Sequence, residues 1–101
     1  MTEAPLFHLR EGEGPPLLLL NGGLMSAAAW EPIAALLRQR WTVVRCDFRG
    51  QLRSPGSPPL DFAGHARDLV ALLDHLGIER AHVTGTSFGA FAGVALAARH
   101  P

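Results

Sequence analysis

The stretch Ala81-His82-Val83-Thr84-Gly85-Thr86-Ser87-Phe88-Gly89 decides the fold. Ala81–Thr84 is a short β-type run, Gly85–Gly89 reads G-x-S-x-G, and Phe88–Arg99 is an apolar, Ala-rich helical pattern. A serine between two glycines at a strand-to-helix junction is the setting of a nucleophile elbow. To lift a hydroxyl clear of a sheet, the chain must turn from strand to helix within about two residues. That forces a strained backbone at Ser87 and leaves no room for side chains at 85 and 89. The serine then stands at a helix N-terminus, where unpaired N–H groups and the helix dipole favour a developing negative charge. The plainer alternative is a serine in a Gly-rich turn that merely closes a packed α/β unit.

Upstream of this segment, short β-type runs alternate with helical patterns. Leu6–Arg10 is a candidate leading strand, and Glu11–Gly14 a turn. Leu17–Leu20 is a wholly apolar run of the kind a doubly covered parallel strand needs. Asn21-Gly22-Gly23 breaks it. A helix is expected from about Trp30-Glu31-Pro32, with Pro32 suited to the first helical position, through Ile33, Leu36 and Leu37. Trp41–Cys46 is the next strand, and Asp47 to Leu60 a Pro/Gly-rich loop. Asp61 is a good N-cap for a helix whose apolar face comprises Phe62, Ala66, Leu69, Val70, Leu73 and Leu76, ended by Gly77. The βαβαβα order predicts an α/β fold: a parallel sheet with right-handed crossovers and helices on both faces. The helix at Ala90–Ala98 is apolar nearly all round and expects cover on more than one side. The sequence stops at His100-Pro101, where that helix ends, so 1–101 is expected to be part of a larger domain.

Composition narrows the function classes. The chain has 101 residues, with nine Arg and no Lys against nine acidic residues, so it carries no net charge. Interleaved charges of both signs argue against a nucleic-acid surface or a polybasic membrane patch. The single Cys46 can form neither an internal disulfide nor a zinc site alone, which fits a cytoplasmic setting. Met1-Thr2-Glu3-Ala4-Pro5 lacks the features of a signal peptide. The longest apolar runs fall well short of the roughly 20 residues that span a bilayer.

A second chemical signal lies at Gly22-Gly23. Acyl transfer needs two backbone donors for the oxyanion, one from the residue after the nucleophile (Phe88) and one from a loop after a neighbouring strand. Glycines at 22 and 23 let the backbone approach a substrate unobstructed. The alternative is an ordinary glycine turn after a strand.

Together these residues resemble the α/β-hydrolase superfamily over most of the chain, as its N-terminal half. Leu17–Leu20 with Asn21-Gly22-Gly23, Ser26 and Trp30 is similar to the family's strand and oxyanion loop, L-L-L-H-G-x-x-x-S-x-x-W. Asp47-Phe48-Arg49-Gly50-Gln51-Leu52-Arg53-Ser54 resembles its D-x-R-G-x-G-x-S loop, and Gly85–Gly89 its elbow. The resemblance implies Ser87 as nucleophile and the Gly23 and Phe88 amides as oxyanion donors, with Leu24 the neighbouring alternative for the first. The nearest subgroup is the small esterase, cofactor-free haloperoxidase and enol-lactonase type, acting on a small-molecule acyl substrate with neither metal nor organic cofactor. Two positions depart from the pattern. Asn21 stands where the family has His, and Leu52 where it has Gly, although leucine resists a positive φ.

In this family the acid and histidine follow the serine. Only His100 does so here, at the far end of the helix that starts at the serine and about 18 Å away at 1.5 Å per residue. His8, His65, His75 and His82 precede the elbow. His65 and His75 are expected to be solvated or half-buried on their helix. Asp68 and Asp74 are expected as surface charges, and Asp47 as the residue that orders its own loop. Without a base a serine is a poor nucleophile, and loss of a triad costs about 10⁴–10⁶ in rate, so the 101 residues alone are expected to be nearly inert. Two rivals remain. A nucleotide-binding unit would place Asp47 about 25 residues after the glycines, but Asn21–Ser26 lacks the first and third glycines of G-x-G-x-x-G and that reading leaves the elbow unexplained. A truncated, non-catalytic hydrolase fragment or interaction partner would present an open strand edge.

Overall fold

Why Leu17–Leu20 is apolar on both sides becomes clear from its place in the sheet. In the computed structural model, which describes residues 6–101, β2 (Pro16–Leu20) runs between two parallel neighbours, β3 (Thr42–Cys46) and β4 (His82–Gly85). Successive side chains on a strand point to opposite faces. Leu18 and Leu20 join Val44 and Cys46 in one core, while Leu17 and Leu19 join Val43 in another. Met1–Pro5, on which the expectation about a signal peptide falls, lies outside the described residues.

The sheet order is β1-β3-β2-β4, with β1 at His8–Glu11. The α/β class, the parallel relation of β2, β3 and β4, and helices on both faces are as the sequence predicts. The sheet as a whole is mixed, because β1 pairs antiparallel with β3, His8 opposite Cys46 and Glu11 opposite Val43. Only the short stretch 12–15 joins β1 to β2, with no crossover helix between them, so the chain reverses and β1 runs against both β2 and β3. β4 closes the order, so its outer edge has no strand partner among the described residues.

One face is covered by α2 (Phe62–His75) and α3 (Phe88–Arg99), which bury Ala66, Leu69, Leu72, Ala92 and Leu96 against the first core. The other carries α1 (Glu31–Leu37) and the 3-10 turn Ala27–Trp30, whose Trp30 and Ala34 complete the second core. The termini of α2 follow the sequence reading. Asp61 Oδ1 accepts from the Gly64 N–H at 2.8 Å, and Gly77 takes φ +72° as the chain leaves the helix. Its buried stripe also includes His65 and Leu72, while Val70, Leu73 and Leu76 are only partly buried at its border. On α3, Gly89, Ala92 and Leu96 face inward and Phe91 and Val94 stand exposed. No helix among the described residues is long and apolar enough to cross a membrane.

Candidate active site

The turn after β4 has the geometry that its glycines imply. Ser87 takes φ 50° and ψ −113°, and it is the one non-glycine residue with a positive φ among those described. Such a conformation costs on the order of 1–3 kcal/mol and persists only where surrounding structure imposes it. The imposing contacts are backbone to backbone. A Cβ built on Gly85 would lie 2.6 Å from the Gly89 carbonyl carbon, and one on Gly89 would lie 2.3 Å from Leu20 O. Only hydrogen at both positions lets the chain fold back without displacing its neighbours. The Thr86 N–H donates to Leu20 O at 3.2 Å and ties the turn to the end of β2. Within the turn the Gly89 and Ala90 amides donate to Thr86 O and Ser87 O, both at 2.9 Å, while the Phe88 N–H takes no part. Ser87 is exposed.

The segment after β2 stands next to this turn. A Cβ on Gly22 would meet Thr86 Cγ2 at 3.5 Å, and one on Gly23 would meet Phe88 Cβ at 3.9 Å. The structure thus brings together Ser87, Phe88 and Gly23, while Leu24, the alternative, is wholly exposed. Asn21, in the position of the family's histidine, is fully buried. Its Nδ2 donates to Cys46 O at 2.5 Å, and its Oδ1 accepts from Trp30 Nε1 at 2.7 Å.

Asp47 does more than order its own loop. One carboxylate oxygen accepts from the Arg53 N–H at 3.1 Å, and the other from the Ala27 N–H at 2.7 Å, across to the segment after Gly23. The buried Ser54 hydroxyl donates to Asp47 O at 2.7 Å and accepts from the Phe7 N–H at 2.9 Å. Leu52 escapes its conformational conflict because the left-handed turn falls on Gly50 instead, at φ +92°. Asp68 corrects the expectation of a surface charge: it is largely covered and paired with Arg49, whereas Asp74 is exposed.

Sequence reasoning missed Arg45, an arginine inside an apolar strand. It is only 3% exposed, and donates to Ala27 O at 2.9 Å, to Glu11 at 2.8 Å and to Glu31 at 2.7 Å. The signal was there, since an arginine among Val43, Val44 and Cys46 needs acidic partners. Both hydrogen bonds to arginines hold the Glu31 carboxyl below its usual range.

The five histidines have other surroundings. His8 Nδ1 lies 2.8 Å from Leu6 O with His75 against its ring, His82 packs on Trp41, and His100 follows the far end of α3. His65, expected to be at most half-buried, is in fact buried among Phe48, Phe62 and Phe88, with its Nδ1 unpartnered. That burial pushes its pKa down. Burial likewise pushes the Cys46 thiol up to about 12, so it is no competing nucleophile. A groove of about 830 Å³ lies at the opposite end of the strands, lined by Pro16, Ala81 and His82, away from Ser87.

Comparison with known proteins identifies the fold family. Residues 15–101 match the model of the alpha/beta hydrolase fold family. A protein of Caulobacter segnis that carries the name carbamate hydrolase RutD is 44% identical over 94 residues, which is 87% of this chain and 34% of that protein. A fluoroacetate dehalogenase of a Burkholderia species is 35% identical over 96 residues, covering 89% of this chain and 32% of the relative. The solved structure of an esterase from a marine microorganism superposes with a TM-score of 0.92 at 30% identity, over 98% of this chain and 38% of its own. The chain spans about a third of the length of the relatives it matches.

Proposed function

Since the chain belongs to the alpha/beta hydrolase fold family, we propose that it carries the nucleophile and oxyanion donors of a serine hydrolase acting on an ester, lactone or similar acyl substrate. The observation that carries this reading is Ser87 at φ 50° on the strand-to-helix turn, with Gly23 standing against Phe88. In the proposed reaction Ser87 Oγ attacks the acyl carbon and its proton passes to a base. The carbonyl π-bond pair moves onto oxygen, where the Gly23 and Phe88 N–H groups receive the charge. Such donors are worth about 3–4 kcal/mol each in the transition state, because they are already in place when the charge develops. Collapse expels the alcohol portion, which takes the proton from the base, and water releases the acid by the same steps in reverse order.

No hydrogen bond joins Ser87 to any of the five histidines among the described residues: His8 and His82 pack on His75 and Trp41, His65 is buried among phenylalanines, and His100 follows the far end of α3. The base and its acidic partner are therefore proposed to come from outside residues 6–101. Relatives named for carbamate, fluoroacetate and ester chemistry share this part of the fold, which supports a scaffold common to several leaving groups and a pocket formed elsewhere. The proposed setting is the cytoplasm, with a small molecule as partner and neither nucleic acid nor membrane. The test is labelling of the complete protein with a fluorophosphonate and turnover of p-nitrophenyl acetate. The adduct is expected on Ser87, and Ser87→Ala is expected to lose about 10⁴-fold or more in kcat/KM. Parental turnover by Ser87→Ala would refute the assignment, and absence of both labelling and turnover would favour a non-catalytic fragment.

A further inference from the structure

Gly22-Gly23 has the most permissive backbone beside the candidate site, and nothing in its own chemistry settles which way the intervening peptide faces. In a trans peptide the C=O and N–H point in opposite directions, so whatever holds the Gly22 carbonyl also aims the Gly23 N–H. No described peptide bond is cis. Two donors reach the Gly22 carbonyl: the Met25 N–H at 3.0 Å and Gln51 Nε2 at 3.4 Å. The same Nε2 stands 3.5 Å from Gly23 O, so one amide nitrogen bridges two consecutive carbonyls.

The Gln51 side chain is itself fixed. Its Oε1 accepts from the Phe48 N–H at 2.9 Å and from Asn21 Nδ2 at 3.3 Å. These are both donors, so the carboxamide must turn its oxygen to them and its nitrogen to the glycine carbonyls, which can only accept. Its backbone sits in a tight turn, with Gln51 N–H on Phe48 O and Ser54 N–H on Gln51 O, both at 2.8 Å.

We propose that Gln51 is a positioning residue for the oxyanion donor at Gly23, its carboxamide clamping the Gly22–Gly23 peptide from behind so that the Gly23 N–H is held toward the elbow. This rests on the reading of Ser87, Phe88 and Gly23 given above. Donation to the Gly22 carbonyl also polarises the peptide and strengthens the N–H opposite it. Complete loss of an oxyanion donor costs about 10²–10³ in rate. Loosening one by removing a single neutral hydrogen-bonding group is expected to cost about tenfold.

The experiment uses the complete protein and compares Gln51→Met and Gln51→Glu with the parent. Three readouts are needed: steady-state kinetics on p-nitrophenyl acetate, stoichiometry of fluorophosphonate labelling, and the infrared carbonyl stretch of the acetyl-enzyme made with a ¹³C-labelled acyl group. Gln51→Met is expected to lower kcat about tenfold while KM stays within about twofold. Labelling of Ser87 is expected to remain stoichiometric, and the acetyl carbonyl stretch to move to higher frequency as its oxygen loses hydrogen bonding. Gln51→Glu keeps the acceptor for Phe48 but turns an anion toward the two carbonyls. It is expected to lose more activity than Gln51→Met and to fold if the methionine variant does not. Parental kcat and an unmoved carbonyl stretch in either folded variant would overturn the role of Gln51 and leave the reading of the site intact. A parent that is not labelled at Ser87 would overturn both.

Discussion

Replacing Gly89 with alanine separates the sterics of the elbow from ordinary helix energetics. Gly89 is the second residue of α3 and its φ is not positive, so alanine fits its backbone and would by propensity gain about 1 kcal/mol. Against that gain stands the 2.3 Å approach of the new Cβ to Leu20 O and 2.5 Å to Asn21 O. Both are backbone atoms at the end of a central strand and neither can rotate away. Moving the methyl out to an ordinary 3.4 Å contact opens the gap between β2 and α3 by about 1 Å. Overpacking of this kind costs about 1–3 kcal/mol, so the net destabilisation is expected to be about 1 kcal/mol. The effect on activity is expected to be far larger. Phe88 precedes Gly89 directly, and a displacement of about 1 Å in a positioned group costs about 100-fold. Gly77→Ala provides the control. Its φ is +72° with no atom within 4 Å of the added Cβ, so it costs about 1 kcal/mol through conformation alone, at the far end of α2. Urea titrations and kcat/KM on p-nitrophenyl acetate, measured on the complete protein, compare the two. Similar losses of stability with activity reduced only in Gly89→Ala are expected. Gly89→Ala with more than half of parental kcat/KM, or Gly77→Ala with an equal loss, would refute the argument.

Three other substitutions test the packing around the site. His65 is buried without a partner for Nδ1, and desolvation holds its pKa below the ordinary value of about 6.5, so the folded state binds its proton later than the unfolded one. Its contribution to stability is therefore complete above pH ~6.5 and is lost as pH falls toward the folded pKa, with a slope of at most about 1.4 kcal/mol per pH unit. His65→Leu is expected to remove that slope from urea titrations run between pH 7.5 and 4.5, and an unchanged slope would contradict the assignment. Arg45→Met leaves Glu11 and the Ala27 carbonyl without their buried donor and is expected to cost about 3 kcal/mol. Glu31→Gln, at a carboxylate whose side chain is 53% exposed, is expected to cost under about 1 kcal/mol by the same titration.

The legible parts of this molecule are those where a local rule is severe. A strand-to-helix turn with a serine at its apex admits only glycine at 85 and 89, so the motif carries its own geometry. Asp61 and Gly77 mark the ends of α2 because caps are chemical requirements of a helix terminus. A run of four leucines before Asn21-Gly22-Gly23 suits a short strand covered on both faces. The sequence does not name the partners where a contact joins distant segments, even where, as at Arg45, it signals that partners are needed. Arg49 meets Asp68, Arg45 meets Glu11 and Glu31, and Gln51 meets Gly22, pairings that no local pattern announces. Strand β1 was placed within two residues, but four residues of mixed polarity do not reveal their direction.

The end of β2 is the common reference for both proposed oxyanion donors. Leu20 O accepts the Thr86 N–H and also lies where any side chain at Gly89 would have to go, so the register of the elbow is set by that one carbonyl. One residue further, Asn21 sets the other donor's loop by spending its carboxamide on Cys46 O, Gln51 Oε1 and Trp30 Nε1. A histidine in that place could donate and accept at once only in its neutral form, and a proton gained near neutral pH would replace the acceptor facing Trp30 with a second donor. An amide does not titrate. The substitution that departs from the family pattern therefore keeps the donor loop attached to β3 and Trp30 in the same way across the pH range.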